Sequence, residues 1–169
     1  AGALKGHKFS LYDGGVRVPG ILNWPARIPE RQVLDQPVAA MDIMPSMLKA
    51  AGGDPSEYDV DGMDIMPYVA DGKALPERDL FWEMNDQTAM RRGKYKLVLK
   101  GQLVEGAPPE DDVHLSDLTV DMGEKVNLAN EHPELTQELK QTAQAWREKI
   151  ETLWDEMQKQ PTQPVSYTK

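Results

Sequence analysis

The 169-residue sequence predicts an α/β fold that becomes α+β in its second half: a strand and a helix, then a small four-stranded antiparallel sheet packed against a long C-terminal helix. Three observations predict it. Residues 16–24 form an apolar run, residues 94–100 alternate between two faces, and residues 135–157 place apolar side chains at every third or fourth position. These patterns are typical of a buried strand, a half-buried strand and an amphipathic helix.

The first third of the chain predicts one strand followed by one helix. The run VRVPGILNW, residues 16–24, predicts a short buried strand that enters from a glycine turn. An apolar stripe over residues 43–51 then predicts a helix with Asp42 as its N-cap and Gly52 as its stop. After Gly52 the chain is rich in Gly, Pro and Asp, with a short helical turn expected over 63–69.

The second half predicts a sheet and one long helix. Strands are expected at 80–84, on either side of Arg92-Gly93, and at 113–118. In KYKLVLK the lysines alternate with apolar residues, so this strand is expected to bury one face. The long helix is entered before Pro133, and its two tryptophans are expected to dock into the core. They are Trp146 and Trp154.

Composition excludes several functional classes. The net charge is -9, from 28 acidic and 19 basic residues, whereas a nucleic-acid-binding protein usually has a basic face. The chain has no cysteine, which excludes disulfides and thiolate nucleophiles within it, and its three histidines are too far apart for a helix-borne zinc site. No run approaches the roughly 20 apolar residues of a membrane-spanning helix.

Four aspartates between residues 54 and 64 surround Gly62 and invite comparison with a calcium-binding loop. The closing glutamate of such a loop would fall at position 68, where the chain has Tyr68. Capping aspartates in a turn are therefore the better interpretation, and no metal site is predicted in this chain.

The segment GHKFSLYDGGVR has a different character. Gly6 precedes His7 and Lys8, and a glycine pair and Arg17 follow them. A backbone that turns tightly while presenting cationic groups suits an anion such as sulfate or phosphate. Taken alone, the spacing is weak evidence and favours Lys8 as an ordinary exposed lysine.

Five segments, in chain order, resemble motifs of the type I sulfatases, the arylsulfatase branch of the alkaline phosphatase superfamily. GHKFSLYDGGVRVP resembles G-x-K-x-x-x-Y/F-E-G-G-x-R-x-P, and MDIMPSMLKAAG resembles D-L/I-x-P-T-L/I-x-x-x-A-G. DGMDIMPYVADG, RRGKYKLVLK and HLSDLTVDMGEKVNL are similar to a D-G turn, the R-x-G-x-W/Y-K hairpin and the L-Y/F-D-L-x-x-D-P-x-E-x-x-N-L segment of that family. The resemblance covers nearly the whole chain through about residue 150.

The resemblance implies a domain organisation. Residues 1–52 would be the trailing strand and helix of the alkaline-phosphatase-like α/β catalytic domain, and 53–75 a connecting segment. Residues 76–160 would form the C-terminal sulfatase subdomain, and 161–169 a tail. Residue 1 would then be a cut edge, with most of the catalytic domain upstream.

The resemblance also implies roles for residues of the first motif. Lys8 matches the active-site lysine that contacts the sulfate and helps stabilise the departing ester oxygen, and His7 beside it is a hypothetical contact at the substrate rim. The structural motif residues are Asp13, Gly14, Gly15 and Arg17. Asp13 stands where the family usually has glutamate, and Arg17 is expected to form a structural ion pair.

The complete protein is thus expected to hydrolyse sulfate esters of a small molecule or glycan with a formylglycine nucleophile and calcium. Both would come from upstream residues, because no C/S-x-P-x-R motif occurs here, so this chain alone should bind neither and be inactive. Its expected partner is the upstream domain of its own chain, with oligomer formation through exposed surface as a further expectation; the family suggests the periplasm or secretion. Two alternatives stay open: a phosphonate or phosphate monoester hydrolase of the superfamily, and a non-catalytic sulfatase-like binding or structural module.

Overall fold

The computed structural model describes residues 2–159 and divides into two compact units. The sheet unit comprises Ala1–Arg17 and Asp79–Lys169, and the helical unit comprises Val18–Arg78. The domain boundaries expected at residues 52 and 76 stay predictions, and the predicted tail at 161–169 lies outside the described residues.

The sheet unit contains the predicted four-stranded antiparallel sheet. Its strands are β1 (Asp79–Met84), β2 (Gln87–Arg92), β3 (Tyr95–Gly101) and β4 (Asp111–Asp117), and they lie side by side in chain order. The short helix α1 (Asp13–Val16) precedes them, and the long helix α4 (Pro133–Lys159) follows. The order arises because each strand pairs with the next through a hairpin connection.

Helix α4 covers one face of the sheet. Leu139 and Ala143 are fully buried against strand residues of the same face, and Trp146 stacks on Phe81 with ring centroids 5.0 Å apart. The core of this face contains Met90, Leu97, Leu99, Leu115, Leu139 and Ala143. The expectation that Trp154 docks is wrong, because its side chain is exposed. A helix of 27 residues is about 40 Å long, whereas a strand of seven residues spans about 23 Å, so α4 extends beyond the sheet.

The first residues of the chain cover the opposite face of the sheet. Leu11 and Tyr12 are buried there against Ala89 and Val98. Both faces of β3 are therefore covered, and Lys96, expected on a solvent-facing side, is almost fully buried. The alternation of β3 is confirmed, but on its lysine-bearing face Lys96 and Val98 are buried and only Lys100 is exposed.

The helical unit holds α2 (Ile43–Ala50) and α3 (Met66–Asp71), with 3-10 turns at Ala40–Asp42 and Pro55–Glu57. Both predicted helical segments are present. Gly52 follows α2 with a φ of +88°, the left-handed conformation in which glycine commonly ends a helix. The core of this unit contains Ile65, Met66, Tyr68 and Val69.

Three expectations for the first third of the chain are wrong. Residues 17–24 form no strand, and Ile21 is 92% exposed. A strand needs a neighbour to pair its backbone, and the described strands pair only with one another. The apolar stripe of α2 is also largely exposed, and the side chain of Asp42 does not cap the helix. Instead, Asp42 is fully buried and accepts hydrogen bonds from Arg78 and from the Ala39 and Met63 amides.

Among the helices that the structure describes, none is both long and apolar enough to cross a membrane.

Candidate active-site loop

Residues 5–17, here called the lysine loop, fold back on themselves before entering the helical unit. The Gly14 amide donates to the Lys5 carbonyl at 2.7 Å, and the Ser10 amide donates to the His7 carbonyl at 2.9 Å. A side chain at Gly14 or Gly15 would overlap backbone atoms of the same loop. The glycine pair is therefore a steric requirement of this compact turn.

Lys8 and His7 lie at the exposed part of the lysine loop. The Lys8 ammonium lies 4.9 Å from the centroid of the Phe9 ring, and the Nδ1 atom of His7 lies 2.9 Å from the Lys8 carbonyl oxygen. Phe9 has a φ of +74°, a conformation that residues other than glycine rarely adopt. The lysine is thus presented to solvent from a sharply turned backbone.

Gln87, at the start of β2, forms hydrogen bonds with the backbone of this turn. Its side chain is fully buried, and its Nε2 donates to the Phe9 carbonyl at 2.9 Å. Its Oε1 accepts from the Gln102 amide at 2.9 Å and from the Leu11 amide at 3.4 Å. One buried amide group therefore ties the residue after Lys8 to the first residue of the central strand β2.

A buried ion cluster holds the far end of the loop. The Lys96 ammonium lies 2.6 Å from an oxygen of Asp13 and 3.3 Å from an oxygen of Glu124, and both partners are buried. The other Glu124 oxygen accepts from the Asp13 amide at 2.5 Å. Burial raises the pKa of the Glu124 carboxyl, and the nearby Lys96 charge opposes that rise.

The cluster brings together three of the motifs that carry the sulfatase resemblance. Asp13 belongs to the glycine-lysine motif, Lys96 to the hairpin motif, and Glu124 to the L-Y/F-D-L segment. Lys96 and Glu124 were not predicted as partners of Asp13. Their places in the motifs were a signal that could have identified them, whereas the lysine-rich pattern of β3 suggested only a solvated face.

The other residues of the first motif lie close by. Arg17 is half-exposed, and its guanidinium lies 3.7 Å from the second oxygen of Asp13. The structure therefore brings Asp13, Gly14, Gly15 and Arg17 together at one end of the loop, with His7 and Lys8 at the exposed part.

Beneath the loop lies a second polar group of side chains. The Lys5 ammonium is 2.5 Å from Glu110 and 4.4 Å from the centroid of the Tyr12 ring, which meets His114 edge-on at 5.3 Å. Burial, aided by nearby carboxylates, raises the pKa of the Tyr12 phenol above its usual value. Burial lowers the pKa of His114, and its contact with Asp111 opposes this effect. Tyr12 and His114 of this group are buried beneath the loop, whereas Lys8 lies at its exposed part.

No group of three or more acidic or histidine side chains within residues 2–159 is arranged to hold a metal ion. The described residues therefore do not fit a resident calcium ion. Without cysteine or a C/S-x-P-x-R segment, the chain also has no precursor for a formylglycine.

Comparisons with known proteins identify the group to which these motifs belong. No family model matches the chain. An uncharacterized sulfatase of Schizosaccharomyces pombe is 32% identical over 139 residues, which are 76% of this chain and 24% of the relative. Human arylsulfatase A is 29% identical over 165 residues, or 83% of this chain and 32% of the relative. The chain belongs to the sulfatase family.

Human steryl-sulfatase adds a shorter and more similar stretch, 45% identical over 74 residues, which are 43% of this sulfatase chain and 12% of the relative. The chain thus spans a third or less of the length of these relatives, and this partial coverage fits a C-terminal portion of a sulfatase.

Solved structures support the same fold. One, from work on the metabolism of multiple glycosaminoglycans by Bacteroides thetaiotaomicron, has a TM-score of 0.68 and 24% identity, and the match covers 85% of this chain and 32% of that one. Ps i-CgsB in complex with a neocarrahexaose has a TM-score of 0.67 and 22% identity, with 85% and 31% covered. These two likenesses indicate the alkaline-phosphatase-like fold of this sulfatase chain, and at such identity they indicate the fold alone.

Proposed function

We propose that this chain is the C-terminal part of a sulfatase that hydrolyses sulfate esters, with Lys8 as the catalytic residue that it contributes. The observation that carries the proposal is the exposed Lys8 ammonium on a loop tied down by buried Gln87 and by the Asp13–Lys96 pair. A cation fixed in one place stabilises negative charge that develops on the ester oxygen as the sulfur–oxygen bond breaks. His7, beside it, is proposed to line the rim of the substrate site.

The nucleophile and the metal are proposed to come from the rest of the protein. The described residues offer no calcium site and the sequence no formylglycine precursor. One ammonium supplies a single electrostatic contribution, whereas hydrolysis also needs a nucleophile and a Lewis acid. We therefore expect the 169-residue chain alone to be inactive.

The exposed apolar surface of the helical unit is the proposed contact with the remainder of the catalytic domain. Val18 and Ile21, from the run expected to form a strand, are 78% and 92% exposed, and Ile43, Met44 and Met47 of α2 are about half exposed. Contiguous exposed apolar surface usually marks an interface. Association with another copy of the chain is the competing use of this surface.

The substrate class is proposed to be a sulfated small molecule or glycan, and the family suggests a periplasmic or secreted protein. The test uses the complete protein with 4-nitrophenyl sulfate and calcium. Lys8→Ala should lower kcat/KM by on the order of 10²–10³-fold, the usual effect of removing one charge-stabilising donor. Lys149→Ala, which removes an exposed lysine of α4, is the matched control and should retain full activity.

The alternatives predict different results in the same assay. A phosphate or phosphonate monoester hydrolase would turn over 4-nitrophenyl phosphate or a phosphonate monoester faster than the sulfate. A non-catalytic binding or structural module would hydrolyse none of these esters. Equal activities of the wild-type protein and Lys8→Ala would refute the role of Lys8.

A further inference from the structure

Gln87 is a polar side chain in a fully buried position. It begins β2 directly after the turn that follows β1, and its side chain is fully buried. Burying an amide without partners is costly, so its hydrogen bonds define its role. Every hydrogen bond described for this side chain goes to backbone, and two of the three partners, Phe9 and Leu11, belong to the lysine loop.

The chemistry of these partners determines how the amide is oriented. The Phe9 carbonyl needs a donor, whereas the amides of Leu11 and Gln102 need an acceptor. A carboxamide offers both from one planar group, with its NH₂ as the donor and its oxygen as the acceptor. Because Phe9 has a φ of +74°, its backbone needs surrounding contacts to keep it there. Gln87 provides one such contact, since its Nε2 donates a hydrogen bond to the Phe9 carbonyl.

We propose that Gln87 is a positioning residue for Lys8: its buried amide fixes the peptide after the lysine and thereby sets where the ammonium meets the sulfate. The inference rests on the proposed function of Lys8. Gln87 lies in none of the motifs that carry the sulfatase resemblance, and it is fully buried, with only backbone partners described in the loop. Its effect on catalysis would therefore pass entirely through the backbone of Phe9 and Leu11.

The first experiment is a double-mutant cycle in the complete protein, measured as kcat/KM for 4-nitrophenyl sulfate. Gln87→Met keeps the length of the side chain and removes its hydrogen bonds. In the wild-type background it should lower kcat/KM by on the order of 10²-fold, since a displacement of about 1 Å can have that effect. In the Lys8→Ala background it should cause little further loss. A purely structural role would produce the same loss in both backgrounds.

The second experiment measures the loop without using activity. Amide hydrogen exchange of residues 8–12 should be faster in Gln87→Met than in the wild-type protein, while exchange of 139–143 in α4 stays unchanged. Thr88→Val is the matched control, because Thr88 is the neighbouring buried residue of β2 and makes no described hydrogen bond to the loop. Thr88→Val should leave amide exchange of residues 8–12 unchanged, and its effect on kcat/KM should be the same with and without Lys8→Ala. If Gln87→Met fails to fold, Gln87→Glu keeps the acceptor and loses the donor to Phe9.

The two readouts separate two kinds of failure. Absence of sulfate-ester turnover by the wild-type protein would overturn the proposed function, and the exchange measurement would then decide whether Gln87 orders the loop. Normal turnover with equal losses in both backgrounds would overturn the positioning role alone. Unchanged exchange at residues 8–12 in Gln87→Met would overturn it as well.

Discussion

Replacement of Leu139 by alanine tests whether the contact of α4 with the sheet stabilises the sheet unit. Leu139 is fully buried against Met90, Leu97, Leu99 and Leu115, so the change removes three carbon atoms from a closed core. The expected loss is about 3–5 kcal/mol, which combines the lost transfer free energy with the cost of the cavity. With a urea m-value of about 2 kcal/mol/M, the unfolding midpoint should fall by roughly 1.5–2.5 M.

The assay is urea unfolding followed by far-UV circular dichroism. Leu153→Ala provides the matched control, because it is the same substitution on the same helix at a residue that is 44% exposed. Its expected cost is under about 1 kcal/mol, since no closed cavity forms there. Equal losses at the two positions, or a loss below about 1 kcal/mol at Leu139, would refute the view that α4 is anchored by this part of its length.

Two further predictions concern other contacts of the chain. A Cβ atom on Gly101 would lie 2.7–2.8 Å from atoms of the fully buried Tyr12 ring, so Gly101→Ala should cost about 1–3 kcal/mol in a thermal melt, while Gly20→Ala, with open space around it, should be neutral. Burial raises the pKa of Asp42, but hydrogen bonds from Arg78 and two backbone amides outweigh it and hold that pKa below its usual value. A depressed carboxyl pKa stabilises the fold above the unfolded pKa of about 3.9 and loses this contribution as the pH falls further. The unfolding free energies of the wild-type protein and Asp42→Asn should therefore differ at pH 7 and converge at lower pH; a constant difference would contradict the assignment.

Most predictions that depend on neighbouring residues were confirmed, whereas several that depend on distant parts of the chain were not. The alternation in β3 and the three-to-four spacing of α4 are local, and both elements are present. The prediction of a strand at 16–24 was wrong, because a strand depends on a partner elsewhere in the chain and the described strands pair only with one another. The docking of Trp154 was wrong for a related reason: periodicity defines an apolar side of a helix, but the length of the sheet decides how much of that side is covered.

The candidate site divides in the same way. Lys8, Asp13, the glycine pair and Arg17 were identified from one contiguous segment and its resemblance to a family motif. Gln87, Lys96 and Glu124 lie 70 or more residues away from that segment. Lys96 and Glu124 at least belong to other motifs of the family, whereas nothing near Gln87 in the sequence indicates that it supports the loop. A buried lysine and an exposed one look alike in a sequence, since only the segment packed over Lys96 distinguishes them.

Three helices, the four strands, the family and the loop that carries Lys8 could be predicted without a structure, because hydrophobic period, turn residues and short motifs are written in neighbouring positions. Which side chains hold that loop became visible only in the folded chain. Desolvation forces a buried ammonium or amide to find partners, and those partners are chosen by the packing of distant segments. The ties from Gln87 to Phe9 and from Lys96 to Asp13 are the result of that packing.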